Sequence, residues 1–297
     1  VLRPVVVGWD GSSRSIAAAD WAAGEALRRG LSLQVVQAWE GVTSPCDRDR
    51  PELNAPRCLA RHALTAAAAR LRATYPNLSV STRHVAGSAT DVLIAVGAEA
   101  ELLVLGSRAV SGVGGFIAGS VTQVVVGHVA RPVVLVRDRG TSEDQHLPDE
   151  EGRPSTHTAC RDVVVGVDPG HASEELLAFA FESAALRGAP LRVVHTWRPP
   201  YVQAAAVARA RRAVAASAAR SLAAAVAPWR EKFPAVEVHE LVLEGRASQA
   251  LPTAAQEAGL LVVGRRIRTG RPGAHTGSVA HAAIHHARCP VVVVAHE

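Results

Sequence analysis

A chain of 297 residues can bury two cores of about 150 residues each, near the usual domain size. With 48% hydrophobic residues it is globular rather than disordered, and no apolar run reaches the roughly 18 residues of a membrane span. The net charge of +5 is dispersed, and with two Tyr, four Phe and five Trp aromatic residues are only 4% of the chain, so nucleic acid is disfavoured and anionic small molecules are mildly favoured.

The opening VLRPVVVGWDGS has no signal-peptide layout, which makes a cytosolic protein the default expectation. Val5 to Trp9 reads as a buried strand, and Asp10-Gly11-Ser12-Ser13 as a turn that can also cap a helix. Residues 14–29 form a helix with Ile16, Ala19, Ala23 and Leu27 on one face, ended by Gly30. Leu33 to Ala38 is a second strand reaching Trp39, residues 41–51 are loop, and residues 57–74 are a helix stopped before Pro76. Val80 to Val85 is a third strand running to Gly87, and Thr90 to Ala100 a further helix. Leu102 to Leu105 is a buried strand leading into GSRAVSGVGGFIAGS, residues 106–120. Val121 to Val129 follows as a short helix capped by Ser120, and Val133 to Val136 is a last strand.

The same order recurs at an offset of 158 residues: Asp10 and Asp168, Gly30 and Gly188, Trp39 and Trp197, Gly87 and Gly245, Gly106 and Gly264, Gly119 and Gly277, Pro132 and Pro290. One offset without a gap over more than a hundred residues identifies a tandem duplication of domain-sized repeats. Residues 1–140 and 161–297 are the two domains, and 141–160, with one basic against five acidic groups, reads as a flexible acidic linker. Strands alternating with helices predict two α/β domains, each a doubly wound five-stranded parallel sheet. In such sheets the ligand crevice lies at the carboxyl ends of the strands, at the topological switch point; Asp10 and Gly106 share it if their strands are neighbours.

A strand, a glycine-rich loop and a helix start together form a phosphate cradle, because loop glycines admit close backbone N–H groups and the helix N-terminus favours negative charge. In the first repeat the candidate contacts are Gly106, Ser107, Arg108, Gly119, Ser120, Val121 and Thr122; in the second, Gly264, Arg265, Gly277, Ser278 and Val279. The bland alternative is a strand-to-helix connection with a Ser cap and solvated arginines. Asp10 (with Gly11 beside it) and Asp168 are candidates for a ribose hydroxyl or a Mg²⁺ on the phosphates, against an Asx turn or helix cap. Four cysteines form no CxxC and read as reduced bystanders; His281, His285 and His286 share a predicted helix at a spacing that admits a metal, though surface histidines are the simpler reading.

VVVGWDGS, the helix end RRG, GSRAVSGVGGFIAGSVT and ARPVVLV, with VVVGVDPG, RGAPLRVVHTW, GRRIRTGRPGAHTGSVA and ARCPVVVV in the second half, resemble the universal stress protein family in its tandem two-domain form. The resemblance implies an adenine nucleotide α-hydrolase-like fold with strand order 3-2-1-4-5, domains related by a pseudo-two-fold, and ATP, with Mg²⁺, as ligand of a G-x2-G-x9-G-[ST] loop. It implies main-chain contacts to adenine at Ala38, after strand two, and association through the last strands, between lobes or between chains. The base pocket's other side falls to Val85 and Gly87, with Gly245 the counterpart of Gly87, against a plain strand-end turn. The loop's second glycine is replaced by Ala109 in one repeat and Ile267 in the other, a departure that costs about 1 kcal/mol or more if φ > 0 is needed there. The expected function is a nucleotide-loaded regulatory or stress-response factor in which binding, not turnover, is the main event, since no Walker lysine and no general base stand by the loop. The rivals are a nucleotide-free dimerisation scaffold and a slow ATPase or ATP-dependent enzyme.

Overall fold

The computed structural model describes residues 2–40, 51–109, 116–117, 120–137, 143–153, 155–199, 207–267 and 276–297. The chain divides into two compact units, Val1–Ser142 and Glu143–Glu297. Unit 1 comprises strands β1 (Val5–Gly8), β2 (Leu33–Trp39), β3 (Val80–Ala86), β4 (Leu102–Ala109), a two-residue β5 (Phe116–Ile117) and β6 (Val133–Arg137). Its helices are α1 (Ser13–Arg29), α2 (Pro51–Thr74), α3 (Ala89–Glu99) and α4 (Ser120–His128). The parallel order is β3-β2-β1-β4-β6, with β5 folding back antiparallel on the end of β4. α1 packs with α2 and α3 with α4, covering the two faces. Unit 2 repeats the plan with β7 (Val163–Gly166), β8 (Leu191–Trp197), β9 (Val238–Glu244), β10 (Leu260–Arg266) and β11 (Val291–His296) in the order β9-β8-β7-β10-β11. Its helices are α5 (Glu174–Arg187), α6 (Val207–Lys232), α7 (Ala247–Ala254) and α8 (Ser278–His286). Each unit thus has the expected 3-2-1-4-5 arrangement of parallel strands.

The middle strands are continuous Val and Leu because helices cover both sheet faces; Val5, Val7, Leu103, Val104, Val163, Val165, Leu261 and Val262 are all fully buried. Gly30 and Gly188 end the first helix of each unit in the left-handed conformation, φ 63° and 57°, and the next residue closes the turn through Leu31 N–H to Ala26 O and Ala189 N–H to Ala184 O. No helix among the described residues is long and apolar enough to cross a membrane.

Three local expectations change. Ile16 and Leu27 are 39% and 40% exposed, and α1 instead buries Ala18, Ala19, Trp21, Ala22, Ala23 and Ala26. An alanine stripe lets the helix axis approach the strands, which larger side chains would hold off. Glu25 on that face is fully buried and is held by Arg29 at 2.7 Å. α2 starts at Pro51, six residues before the expected start, since proline is tolerated in a first helical turn; the rest of the expected loop, 41–50, lies outside the described residues. The described part of the linker is tied to unit 2: Leu147 N–H bonds Ala159 O, Arg161 N–H bonds buried Gln145 O, both at 2.8 Å, and His146 bridges Cys160 in antiparallel fashion.

Candidate functional site

The site is built where β1 and β4 lie side by side, with Val5, Val6 and Val7 in register with Leu102, Leu103 and Val104. From these strands the chain departs in opposite directions, to β2 and to β6, which makes their carboxyl ends the switch point. After β1, Gly11 turns the chain at φ +80°, and Asp10 Oδ1 accepts from the Ser12 N–H at 2.9 Å and the Ser12 hydroxyl at 2.5 Å. Ser12 is the N-cap of α1, its Oγ accepting from Ser15 N–H at 3.3 Å. Burial alone would raise the Asp10 pKa, but hydrogen bonds from Ser12 and Ser15 and the charge of Arg14 outweigh it and hold the carboxyl below its ordinary value. Asp10 is therefore a carboxylate at neutral pH, fixed in an Asx turn just beyond the carboxyl end of β1.

Gly106 has a packing reason for being glycine: a Cβ there would stand 2.7 Å from the backbone C and O of Arg14, so its absence is what lets the start of α1 lie on β4. Ser107 is buried, its hydroxyl donating to Val136 O at 3.3 Å. The Arg108 backbone pairs with Ile117. α4 begins at Ser120, so Ser120 is the first helical residue rather than the cap, and Gly119 lies outside the described residues. Ser120 is exposed, Val121 half-buried and Thr122 buried. On the other side, Ala38 and Val85 are direct neighbours in the β2–β3 register. Gly87, at φ +138°, donates its N–H to Trp39 O at 2.9 Å, a strand-end turn. Ser88 then caps α3.

The expected penalty at the second loop glycine does not arise. Ala109 remains in extended β4, paired with Phe116, and no non-glycine among the described residues has positive φ. Ile267 directly follows β10, its N–H bonded to His296 O at 2.6 Å. An extended strand accommodates a methyl or a β-branched side chain without strain.

Unit 2 rearranges the equivalent corner. Asp168 accepts from Gly170 N–H at 3.2 Å and pairs with His171 Nδ1 at 3.3 Å, within a 3₁₀ turn over Pro169–His171. α5 starts only at Glu174, capped by Ser173. A Cβ on Gly264 would meet not helix backbone but the His296 imidazole, 2.7 Å from Nε2. Beside it is a cavity of ≈ 300 Å³ whose lining includes His171, Ser173, Glu175, Arg266 and Glu297. Arg265, the counterpart of Ser107, is only 6% exposed, and burial lowers its pKa; of these two unit 2 arginines, Arg266 is the exposed one. Gly245 repeats Gly87, with φ +136° and its N–H on Trp197 O at 2.9 Å.

Gly277 has φ 77° and ψ 153°, a region open essentially only to glycine, and among the described residues no atom lies within 4 Å of where a Cβ would sit. It offers no side-chain cap, and the first helical bond is His281 N–H to Gly277 O, so the N–H groups of Ser278, Val279 and Ala280 precede the ladder. Ser278, like Ser120, is the first helical residue and not the cap. Sequence reasoning had no signal for His296 over Gly264, because the two meet only through the β10–β11 register, in which Gly264 is beside Val294 and Arg266 beside His296.

A universal stress protein of Mycobacterium tuberculosis strain H37Rv is 32% identical over 302 residues, spanning 97% of this chain and 96% of its own. The crystal structure of a universal stress protein from Archaeoglobus fulgidus superposes with a TM-score of 0.68 at 17% identity, covering 97% of each chain, a likeness of fold. A universal stress protein crystallised in complex with cAMP aligns over 46% of this chain and 98% of its own, at 27% identity and a TM-score of 0.37. The universal stress protein family model matches twice, over residues 2–137 and 160–295, and the chain belongs to that family.

Proposed function

We propose that unit 1 binds ATP or a close adenine nucleotide at the switch point and that the protein acts as a nucleotide-loaded regulator, with binding rather than turnover as its main event. The observation that carries this is the β1–β4 pairing, which brings the anchored Asp10 turn and the end of β4 to one crevice. Ala38 and the Val85–Gly87 turn would flank the base, while the start of α4, from Ser120, would offer N–H groups to the phosphates. Asp10, held as a carboxylate by its hydrogen bonds, suits a ribose hydroxyl or a hydrated Mg²⁺, which would screen phosphate charge. Gly106 and Ser107 contribute by packing, which leaves the contacts themselves to the loop end. A cytoplasmic location and self-association of chains accompany the proposal.

For unit 2, the His296 imidazole over Gly264 favours a second reading, a scaffold repeat without nucleotide, while the open geometry of Gly277 favours retained anion binding. Nucleotide released from the purified protein by denaturation, followed by titration of Gly119→Val and Gly277→Val variants with ATP, separates these. Loss of binding in Gly119→Val alone supports a one-site regulator. No binding by the wild type at millimolar ATP leaves the scaffold, and turnover at about 1 per second or faster makes the protein an enzyme.

A further inference from the structure

We propose that the outer face of α6 docks an acidic polypeptide segment of a partner protein. α6 runs for 26 residues with no carboxylate before Glu231, and it carries Arg209, Arg211, Arg212, Arg220 and Arg230. Two of these are matched within unit 2: Arg211 grips Glu244 through Nη2 at 2.6 Å and Nε at 3.2 Å, and Arg230 meets Glu240 at 2.9 Å. Arg209, Arg212 and Arg220 are exposed, and among the described residues no carboxylate pairs with any of them. With the exposed Ala216, Ala223 and Ala227 they follow one another in steps of three and four residues, which makes a single stripe along the helix. At the helical rise, Arg209 and Arg220 stand roughly 16 Å apart along it.

Helix stability does not call for this arrangement. Arg209 lies in a first turn that has no acidic residue, where the helix dipole opposes a cation, and Arg209 and Arg212 are like charges on neighbouring turns. Nor does the fold, since the repeat offset places Pro51, Asn54 and His62 at the same points of α2. The chemistry of the stripe selects its partner. Arginine matches a carboxylate with two N–H groups, as Arg211 does with Glu244, and the alanines between let another main chain come close. No aromatic ring lies on the stripe to stack on bases, and no large apolar side chain to enter a lipid surface. Docking there needs no nucleotide.

Fluorescence anisotropy of a labelled oligoglutamate peptide, titrated with the full chain, tests the face. The expected result is saturable binding that weakens about tenfold between about 50 and about 250 mM salt. Arg212→Glu and Arg220→Glu should each weaken it about tenfold, while Arg61→Glu, the same charge change at an exposed arginine of α2, leaves it unchanged. Arg209→Glu should weaken binding and yet raise the melting temperature, because a carboxylate then replaces a cation in the first turn of α6. An oligonucleotide or phosphatidylglycerol vesicles bound as tightly as the peptide, equal losses in Arg61→Glu and Arg212→Glu, or no peptide binding by the wild type at millimolar concentration overturns the proposal.

Discussion

The two units start their first helix three residues out of step. In unit 1, α1 begins at Ser13 under a Ser12 cap; in unit 2, α5 begins at Glu174 under Ser173, which the repeat offset aligns with Ser15. The missing first turn is replaced by the Pro169–His171 turn, and the space over the strand-four glycine passes from Arg14 backbone to the His296 ring. Aligned glycines can thus be kept for different neighbours: one accommodates rigid backbone, the other the tip of a side chain. The surroundings of a conserved-looking motif residue decide what its substitution costs.

The largest expected effect breaks that symmetry directly. Gly106→Ala drives a methyl into the Arg14 main chain and should lower the stability of unit 1 by about 2–3 kcal/mol, whereas Gly264→Ala displaces only an imidazole and should cost less than about 1 kcal/mol. Urea denaturation of the two variants measures the difference, and equal losses would mean that the helix starts are interchangeable. Next, His296→Ala should clear the space over Gly264 and raise ATP affinity in unit 2 about tenfold, equivalent to about 1.4 kcal/mol. Calorimetry on a Gly119→Val background isolates that unit, and an unchanged affinity would show that His296 obstructs nothing.

Smaller still, Ser12→Ala and Ser173→Ala should each cost about 1 kcal/mol as lost caps, despite standing at non-equivalent places in the repeat. Thermal melts of both check this; a silent Ser12→Ala would disconnect Asp10 from the helix cap. Ser12→Ala should also raise the Asp10 pKa, since Ser12 supplies the hydrogen bonds that lower it. Finally, because the folded-state pKa of Asp10 is depressed, its contribution to stability is present in full above the ordinary carboxylate range and is lost as pH falls through the lowered value. Asp10→Asn should flatten that acid limb, and an unaltered stability–pH curve would contradict the assignment.

Much of this molecule was legible in its sequence. The 158-residue offset, the Val and Leu runs and the turn glycines Gly30 and Gly188 act locally, through periodicity and backbone conformation, and they led to two doubly wound units. Those features need no knowledge of what packs against them. Tertiary structure decided the rest: that α1 buries alanines and Glu25 rather than Ile16 and Leu27, that Ala109 stays in an extended strand, that Arg265 is buried where Ser107 stood, and that His296 covers Gly264. Each depends on which atoms meet across elements far apart in the chain, and residue spacing along a single element carries no record of that meeting.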